Sequence, residues 1–118
     1  MTLAALLDKI RNHPGTIVFN DVIYLITTHY HYTPSRFTNG SGDDILINEA
    51  GKNEGSCKLF AFAKLNGLNE AETLACFGHY YRDDVLKHPD GTDHANIRSF
   101  MRHGWSGIHF DQPPLTPK

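Results

Sequence analysis

The chain has 118 residues, of which 40% are hydrophobic and 20% are charged, and its formal net charge is −2. This length and composition are typical of one folded domain with a single hydrophobic core, and they exclude a disordered chain. The slight negative charge and the lack of a Lys/Arg cluster argue against a nucleic-acid-binding protein, which needs a basic surface to neutralise phosphates.

The cysteine count and the first residues indicate a compartment. Cys57 and Cys76 form neither a disulfide framework nor a zinc-binding pattern. Residues 1–10 lack the basic start and apolar centre of a signal peptide, and no apolar run approaches the roughly 20 residues that span a bilayer. We therefore predict a cytoplasmic protein that has no membrane partner, no metal site and no cofactor.

Apolar residues at helical spacing predict two helices in the first part of the chain. The first covers residues 3–11, with Thr2 as its N-cap, and His13-Pro14-Gly15 ends it. The second begins after Asn20, a favourable N-cap, and ends at Pro34.

Residues 33–55 are rich in Gly, Asn, Asp and Ser, which are turn-forming residues. The sequence Asn39-Gly40-Ser41-Gly42 is a turn signal, and residues 44–48 can pair back onto residues 36–38 as a short β-hairpin.

Three more helices are predicted in the second half. Ser56 caps a helix that ends at Gly67, and a capping box of Asn69 and Glu72 opens the longest helix, residues 70–87. Asp93 caps the last helix, which ends at Gly104. We expect a positive φ at this glycine, with Trp105 packed back on Phe100.

These elements predict a mainly α fold, a compact single-domain bundle of about five helices with one short β-hairpin around residues 36–48. The helical domain covers residues 1–110. Residues 111–118, which contain three prolines, form an extended or loose C-terminal tail. Eight histidines also predict a loss of stability between pH 7.5 and 5.5, if several of them are buried and neutral in the folded state.

The first candidate site lies at Cys57, in the predicted first turn of a helix. Free N–H groups and the helix dipole there favour the thiolate, and His94 is a candidate base for it. Glu54, Ser56 and Lys58 flank the cysteine and are candidate ligand-binding residues. The alternative is that Cys57 is a small residue packed in the core.

The second candidate site is the predicted helix start at Asp93-His94. His94 and Arg98 are spaced to share one helix face, and Arg binds carboxylates and phosphates with a bidentate fork. Together with Glu54, Ser56, Cys57 and Lys58, these residues predict one polar cleft, if packing brings the two helix starts together. The alternative is a solvated helix face.

Several strings point to one family, namely residues 30–40 (YHYTPSRFTNG), 53–58 (NEGSCK), 77–85 (FGHYYRDDV), 91–101 (GTDHANIRSFM) and 104–107 (GWSG). The sequence is similar to the HopJ type III effector family of proteobacteria over nearly its whole length. The resemblance implies a small single-domain bacterial protein named after an injected effector, which either is secreted into a host cell or has a housekeeping role inside the bacterium. It supplies no biochemical activity and no catalytic residues.

Two functions follow from these observations. The first is a binding or interaction module for a small anionic ligand or a protein partner. The second is a cysteine-dependent hydrolase or transferase centred on Cys57 with His94. The polar residues favour the binding module over the enzyme.

Overall fold

A computed structural model describes residues 1–118 and shows helices and strands together. The α-helices are α1 (Leu3–Asn12), α2 (Phe19–His29), α3 (Glu54–Leu65), α4 (Glu70–Ala75) and α5 (Ala95–His103). The strands are β1 (Tyr30–Tyr32), β2 (Phe37–Ser41), β3 (Asp44–Asn48), β4 (Ile108–Phe110) and β5 (Leu115–Pro117). Short 3-10 helices cover Pro14–Thr16 and Gly104–Gly107, and a π-helix covers Tyr80–Val85.

The strands form two antiparallel sheets, so the predicted mainly α bundle is wrong and the fold is α+β. One sheet has the order β3-β2-β4 and the other pairs β1 with β5. The predicted hairpin is present as β2 and β3, with Phe37 opposite Asn48 and Ser41 opposite Asp44. The remaining three strands have three residues each, which is too short to show alternation, and they pair with segments far away in the sequence.

The last residues of the chain belong to the smaller sheet. β5 pairs with β1, with Leu115 opposite Tyr32 and Pro117 opposite Tyr30. The Leu115 side chain is buried in the core, and the Lys118 backbone N–H donates to the His29 carbonyl. The Pro-rich segment is therefore extended, and it is held against the end of α2.

Several helix boundaries agree with the sequence signals. The Thr2 hydroxyl accepts from the Ala5 N–H, and Asn69 and Glu72 form the predicted capping box at α4. Gly67 has a φ of 65° and Gly104 a φ of 63°. The Trp105 ring packs edge-on against Phe100, with ring centroids 5.1 Å apart.

Other helix starts differ from the prediction. α2 begins at Phe19 after Val18, not after Asn20. α3 begins at Glu54 after Asn53, so Ser56 lies inside its first turn. The N-cap of α5 is His94 instead of Asp93. Before α3 and α5, the N-cap residue has a left-handed backbone conformation, and no side chain caps the helix.

The predicted helix 70–87 is interrupted at Gly78. This glycine has a φ of 61°, and a Cβ on it would lie 2.9 Å from the backbone nitrogen of Phe19. The chain is therefore bent where its backbone passes closely over the start of α2, and it resumes as the π-helix. The contact that breaks the helix is tertiary, which explains why helical spacing alone predicted a continuous helix.

Buried aromatic residues join the helices to the larger sheet. Phe60, on α3, is fully buried, and its ring contacts those of four aromatic residues: Phe37, Phe77, Phe100 and Trp105. α5 packs on β2, and the Phe60 ring joins both elements to α3 through Phe100 and Phe37. This packing places the starts of α3 and α5 next to each other at the end of β3.

Candidate ligand-binding cavity

A cavity of about 570 Å³ lies between the starts of α3 and α5. Its polar lining comes from these two helix starts and from the end of β3, and its apolar lining from aromatic and aliphatic side chains. The lining residues are Phe19, Leu46, Ile47, Asn48, Asn53, Gly55, Ser56, Phe77, Tyr80, His94, Ala95, Asn96 and Ile97. Cavities of this size with a few convergent polar groups are typical of small-molecule binding sites.

Both helices begin with a strained residue that lines the cavity. Asn53, before α3, has a φ of 51°, and His94, before α5, has a φ of 50°. No other residue in the chain apart from glycines has a positive φ. Such a conformation costs on the order of 1–3 kcal/mol and tends to occur at functional sites. Here it directs two helix starts towards one space.

The first-turn N–H groups of both helices are available to a ligand. Neither α3 nor α5 has a side chain that caps its first turn. The first N–H to bond back to the chain is that of Cys57 in α3, to Asn53, and that of Arg98 in α5, to His94. Free N–H groups and the helix dipole create positive potential at a helix start, so two such starts favour an anion between them.

A cluster of buried asparagines fixes the position of α5 against the hairpin. The Asn96 side chain donates to Asn48 at 2.9 Å and accepts from both Asn48 and Asn39 at 3.1 Å. Asn53 donates to the Asn48 oxygen at 2.6 Å. Since Asn48, Asn53 and Asn96 also line the cavity, the cluster holds the polar wall in place.

Among the side chains that line the cavity, the His94 imidazole has a carboxylate partner. Its Nε2 lies 3.0 Å from the Asp84 Oδ2, and its ring lies 5.2 Å from that of Tyr80. Ser56 lines the same cavity, but no hydrogen bond joins its hydroxyl to His94. Ser56 and His94 therefore present a hydroxyl and an imidazole to a ligand, but they do not form a hydrogen-bonded nucleophile and base.

The predicted site residues fall into two groups. Ser56 and His94 line the cavity together, as the two-start cleft required. Glu54, Cys57 and Lys58 lie on another side of α3, around Tyr32. The Tyr32 hydroxyl donates to the Glu54 carboxylate at 3.2 Å, and the Lys58 ammonium lies 4.7 Å from the centre of the Tyr32 ring.

Cys57 is a core residue in this arrangement. It is 1% exposed, its thiol donates to the Ser35 carbonyl, and it is absent from the cavity lining. Burial raises the pKa of its thiol, whereas its place in the first turn of a helix predicted a lowered one. Burial likewise raises the pKa of Cys76 to about 12.

We expect both thiols to resist alkylation in the folded protein. With iodoacetamide at pH 7.5, Cys57 and Cys76 should react only as fast as the protein unfolds, because the buried thiols are protonated and out of reach. His94→Ala should leave the rate of Cys57 unchanged. Mass spectrometry of each labelled peptide, with urea-unfolded protein as the fully reactive control, measures the rates. Rapid labelling of Cys57 that depends on His94 would support the enzyme instead.

Arg98 does not face the cavity. Its guanidinium bonds to the Asp93 carboxylate at 2.7 Å and to the carbonyls of His88 and Asp93. A Cβ on Gly91 would lie 2.5 Å from the guanidinium, so residues 88–93 wrap closely around it. All of these contacts are internal, which makes Arg98 the residue that anchors the loop before α5.

The predicted loss of stability between pH 7.5 and 5.5 required buried histidines, and none of the eight histidines is buried. The structure therefore does not support that prediction. Two carboxylates have pKa values below the usual range of an aspartate. Hydrogen bonds from His103 and Arg102 hold the pKa of Asp44 below its usual range, and the bond from Arg98 does the same for Asp93. A lowered pKa in the folded state gives stability that is complete above the unfolded value of about 3.9 and is lost as pH falls through the folded value.

The melting temperature should therefore change little between pH 7.5 and 5.5 and fall below about pH 4. Asp93→Asn should make the acid branch shallower, because the neutral side chain has no charge to lose. Asp90→Asn, an exposed change in the same loop, is the control. A steep fall between pH 7 and 6 in the wild type would contradict this account.

Sequence reasoning missed most of the residues that line the cavity. Asn48, Asn53 and Asn96 look like ordinary turn and helix residues, and Phe19, Phe77 and Tyr80 look like core residues. The signal available was the position of Asn53 and His94 immediately before helices, since Asn and, less often, His adopt the left-handed conformation.

No helix of the structure combines the length and the apolar character needed to cross a bilayer. No three His, Cys, Asp or Glu side chains converge in a way that could hold a metal ion.

The fold and the cavity define a small α+β domain with a polar cavity between two helix starts. The chain belongs to the family described as HopJ type III effector protein, whose family model matches residues 3–115. This confirms the resemblance drawn from the sequence. The chain is also similar to a crystal structure described as that of the unknown function protein VPA0580, with 47% identity and a TM-score of 0.94 over 100% of this chain and 95% of the other. No curated protein matches it.

Proposed function

We propose that the protein is a binding module whose cavity takes a small anionic ligand. The observation that carries this proposal is the convergence of the uncapped starts of α3 and α5 on one cavity. Each start offers free N–H groups, and the side chains of Asn53, Ser56 and His94 add further hydrogen-bonding groups beside them.

The apolar part of the lining supports a ligand with an uncharged ring or branched group next to its anionic end. Phe19 meets the Tyr80 ring edge-on at 5.2 Å and is stacked with Phe77 at 6.3 Å. These rings line the cavity together with Leu46 and Ile97, so the apolar group would be removed from water there. The anionic group would then lie at the helix starts.

Phenyl phosphate, benzoate, benzyl alcohol and benzylamine form a panel that tests this proposal, because they share a ring and differ in charge. Titrations followed by ¹H–¹⁵N NMR should show that the two anions bind with a Kd below about 1 mM and shift the amides of Gly55, Ser56 and Ala95. Benzyl alcohol should bind more weakly, and benzylammonium should not bind. Equal affinity for the alcohol and the anions, or no binding of any probe, would contradict the proposal.

Ser56→Asp provides a matched test in the protein. A carboxylate in the first turn of α3 suits the helix dipole and should leave the fold intact, but it repels an anion in the cavity. We expect affinity for phenyl phosphate to fall at least about tenfold, the equivalent of about 1.4 kcal/mol. Ser106→Asp, on an exposed residue away from the cavity, should leave it unchanged.

The cysteine-dependent enzyme has no supporting observation of the same kind, since Cys57 is buried and does not line the cavity that His94 lines.

Delivery into a host cell is a separate proposal, supported by membership of a family described as type III effectors. A translocation reporter fused to the C-terminus should reach host cells from bacteria with a working type III system. It should fail to do so from a secretion-deficient strain.

A further inference from the structure

The outer edge of β3 has unused backbone hydrogen-bonding groups. β3 is an end strand of the sheet β3-β2-β4, and a two-residue turn joins it to β2. In an antiparallel pair, hydrogen-bonded and non-hydrogen-bonded positions alternate, and the position beside such a turn is hydrogen-bonded. Asp44 and Leu46 therefore bond to β2, while the N–H and C=O groups of Ile45 and Ile47 point away from the sheet.

The same two residues expose apolar side chains. Ile45 is 45% exposed and Ile47 60% exposed, on the face of the sheet opposite the buried side chain of Asn48. End strands are commonly protected by Lys, Pro or a bulge, because an open edge pairs with other chains. β3 has none of these features, so both its backbone groups and its side chains are free to pair.

Acidic residues flank the two isoleucines. Asp43, in the turn before β3, and Glu49, just after β3, each lie two residues from an isoleucine of this pair, and both are exposed. Asp43 forms no ion pair, whereas Glu49 is paired with Arg36 at 3.2 Å and Asp44 with Arg102 at 2.9 Å. A second copy paired antiparallel about Leu46 would place Asp43 opposite the other copy's Glu49, and facing like charges destabilise a sheet.

From the free edge, the exposed isoleucines and the flanking acids, we propose that β3 binds an extended segment of another protein. This segment adds a strand antiparallel to β3, with apolar residues opposite Ile45 and Ile47 and basic residues opposite Asp43 and Glu49. Backbone hydrogen bonds supply affinity in this mode, and alternate side chains supply specificity. Because Leu46, Ile47 and Asn48 also line the cavity, the segment would run along its mouth.

The peptide acetyl-Lys-Thr-Val-Thr-Val-Thr-Lys-amide has this pattern and is the probe. Added to the full chain, it should shift the amide resonances of Ile45 and Ile47 in a saturable way, with the largest changes along β3. The same peptide with N-methyl groups on its two valines cannot donate to the edge and should show no saturable binding. This comparison uses the wild-type protein, so it does not depend on the folding of a variant.

Charge and side-chain variants test the chemistry of the partner. Asp43→Lys should weaken binding of the basic peptide about threefold and allow binding of its Glu-flanked counterpart, while Asp90→Lys should do neither. Ile45→Thr, outside the cavity lining, should also weaken binding of the basic peptide, and far-UV circular dichroism confirms folding of each variant.

Three outcomes would overturn the proposal. The first is the absence of shifts at Ile45 and Ile47 at about 1 mM peptide, a concentration at which even weak association is visible. The second is equal binding of the basic and Glu-flanked peptides to the wild type. The third is a concentration-dependent shift of the same amides without peptide, which would identify a second copy as the occupant. Phenyl phosphate binding is measured separately, so failure of either proposal leaves the other intact.

Discussion

Phe60→Ala should lower the free energy of unfolding by about 3–5 kcal/mol, the largest effect we expect from a single substitution. The ring is fully buried, and its neighbours come from β2, α5, the turn after α4 and the segment after α5. These neighbours belong to separate elements that meet at the ring. They can fill the void left by the substitution only if whole elements move. The residual void therefore adds to the lost transfer free energy.

Urea unfolding followed by circular dichroism measures this difference at 25 °C. Leu65→Ala is the matched control, because Leu65 lies on the same helix and is 54% exposed. Its effect should be below about 1 kcal/mol. A domain of this size has a total stability of about 5–15 kcal/mol, so Phe60→Ala should leave a fraction of it or unfold the chain. A loss below about 1.5 kcal/mol would show that the core rearranges around the missing ring.

Asn96→Leu should cost about 3 kcal/mol, although leucine is of similar size and more hydrophobic. The Asn96 side chain satisfies polar groups of Asn39 and Asn48, which are themselves buried. Removing it leaves these amides in the core with fewer partners, and a buried unsatisfied polar group costs about 1–3 kcal/mol. The second effect is on the cavity, because the same bonds hold α5 beside β3.

The two effects of Asn96→Leu are separable. Urea unfolding gives the stability, and phenyl phosphate titration of the folded fraction at low temperature gives the affinity. We expect the affinity to fall as well, since the start of α5 is no longer fixed. Asn20→Leu, on an exposed residue without a side-chain hydrogen bond, is the control and should change neither quantity. A more stable Asn96→Leu protein would mean that the asparagine cluster is not the link between α5 and the hairpin.

The helices could be predicted because their signals are local. Thr2 and the Asn69–Glu72 capping box act within one turn of the helix that they begin, and Gly67 and Gly104 lie within two residues of a helix end. The β2–β3 hairpin is local in the same sense, because one turn sets its register. Apolar spacing and caps record these interactions directly in neighbouring residues.

The strands and the break at Gly78 could not be predicted in this way. β4 pairs with β2, and β5 with β1, over separations of about 70 or more residues, and none of β1, β4 or β5 is longer than three residues. Gly78 bends the chain because another segment lies 2.9 Å from where its Cβ would be. A sequence lists no such neighbours, so the predicted fold was too helical.

The candidate site likewise has features that local sequence signals predict and features that depend on tertiary packing. The sequence by itself indicated two polar helix starts, at residues 54–58 and 93–98, and the family to which the chain belongs. Only the tertiary structure decided which face of each helix start reaches the shared cavity. A shift of one residue along a helix turns a side chain by about 100°, so with α3 beginning at Glu54, Ser56 lines the cavity while Cys57 points into the core. In the same way, packing of the loop around Arg98 turned a predicted anion ligand into an internal anchor and left His94 at the cavity.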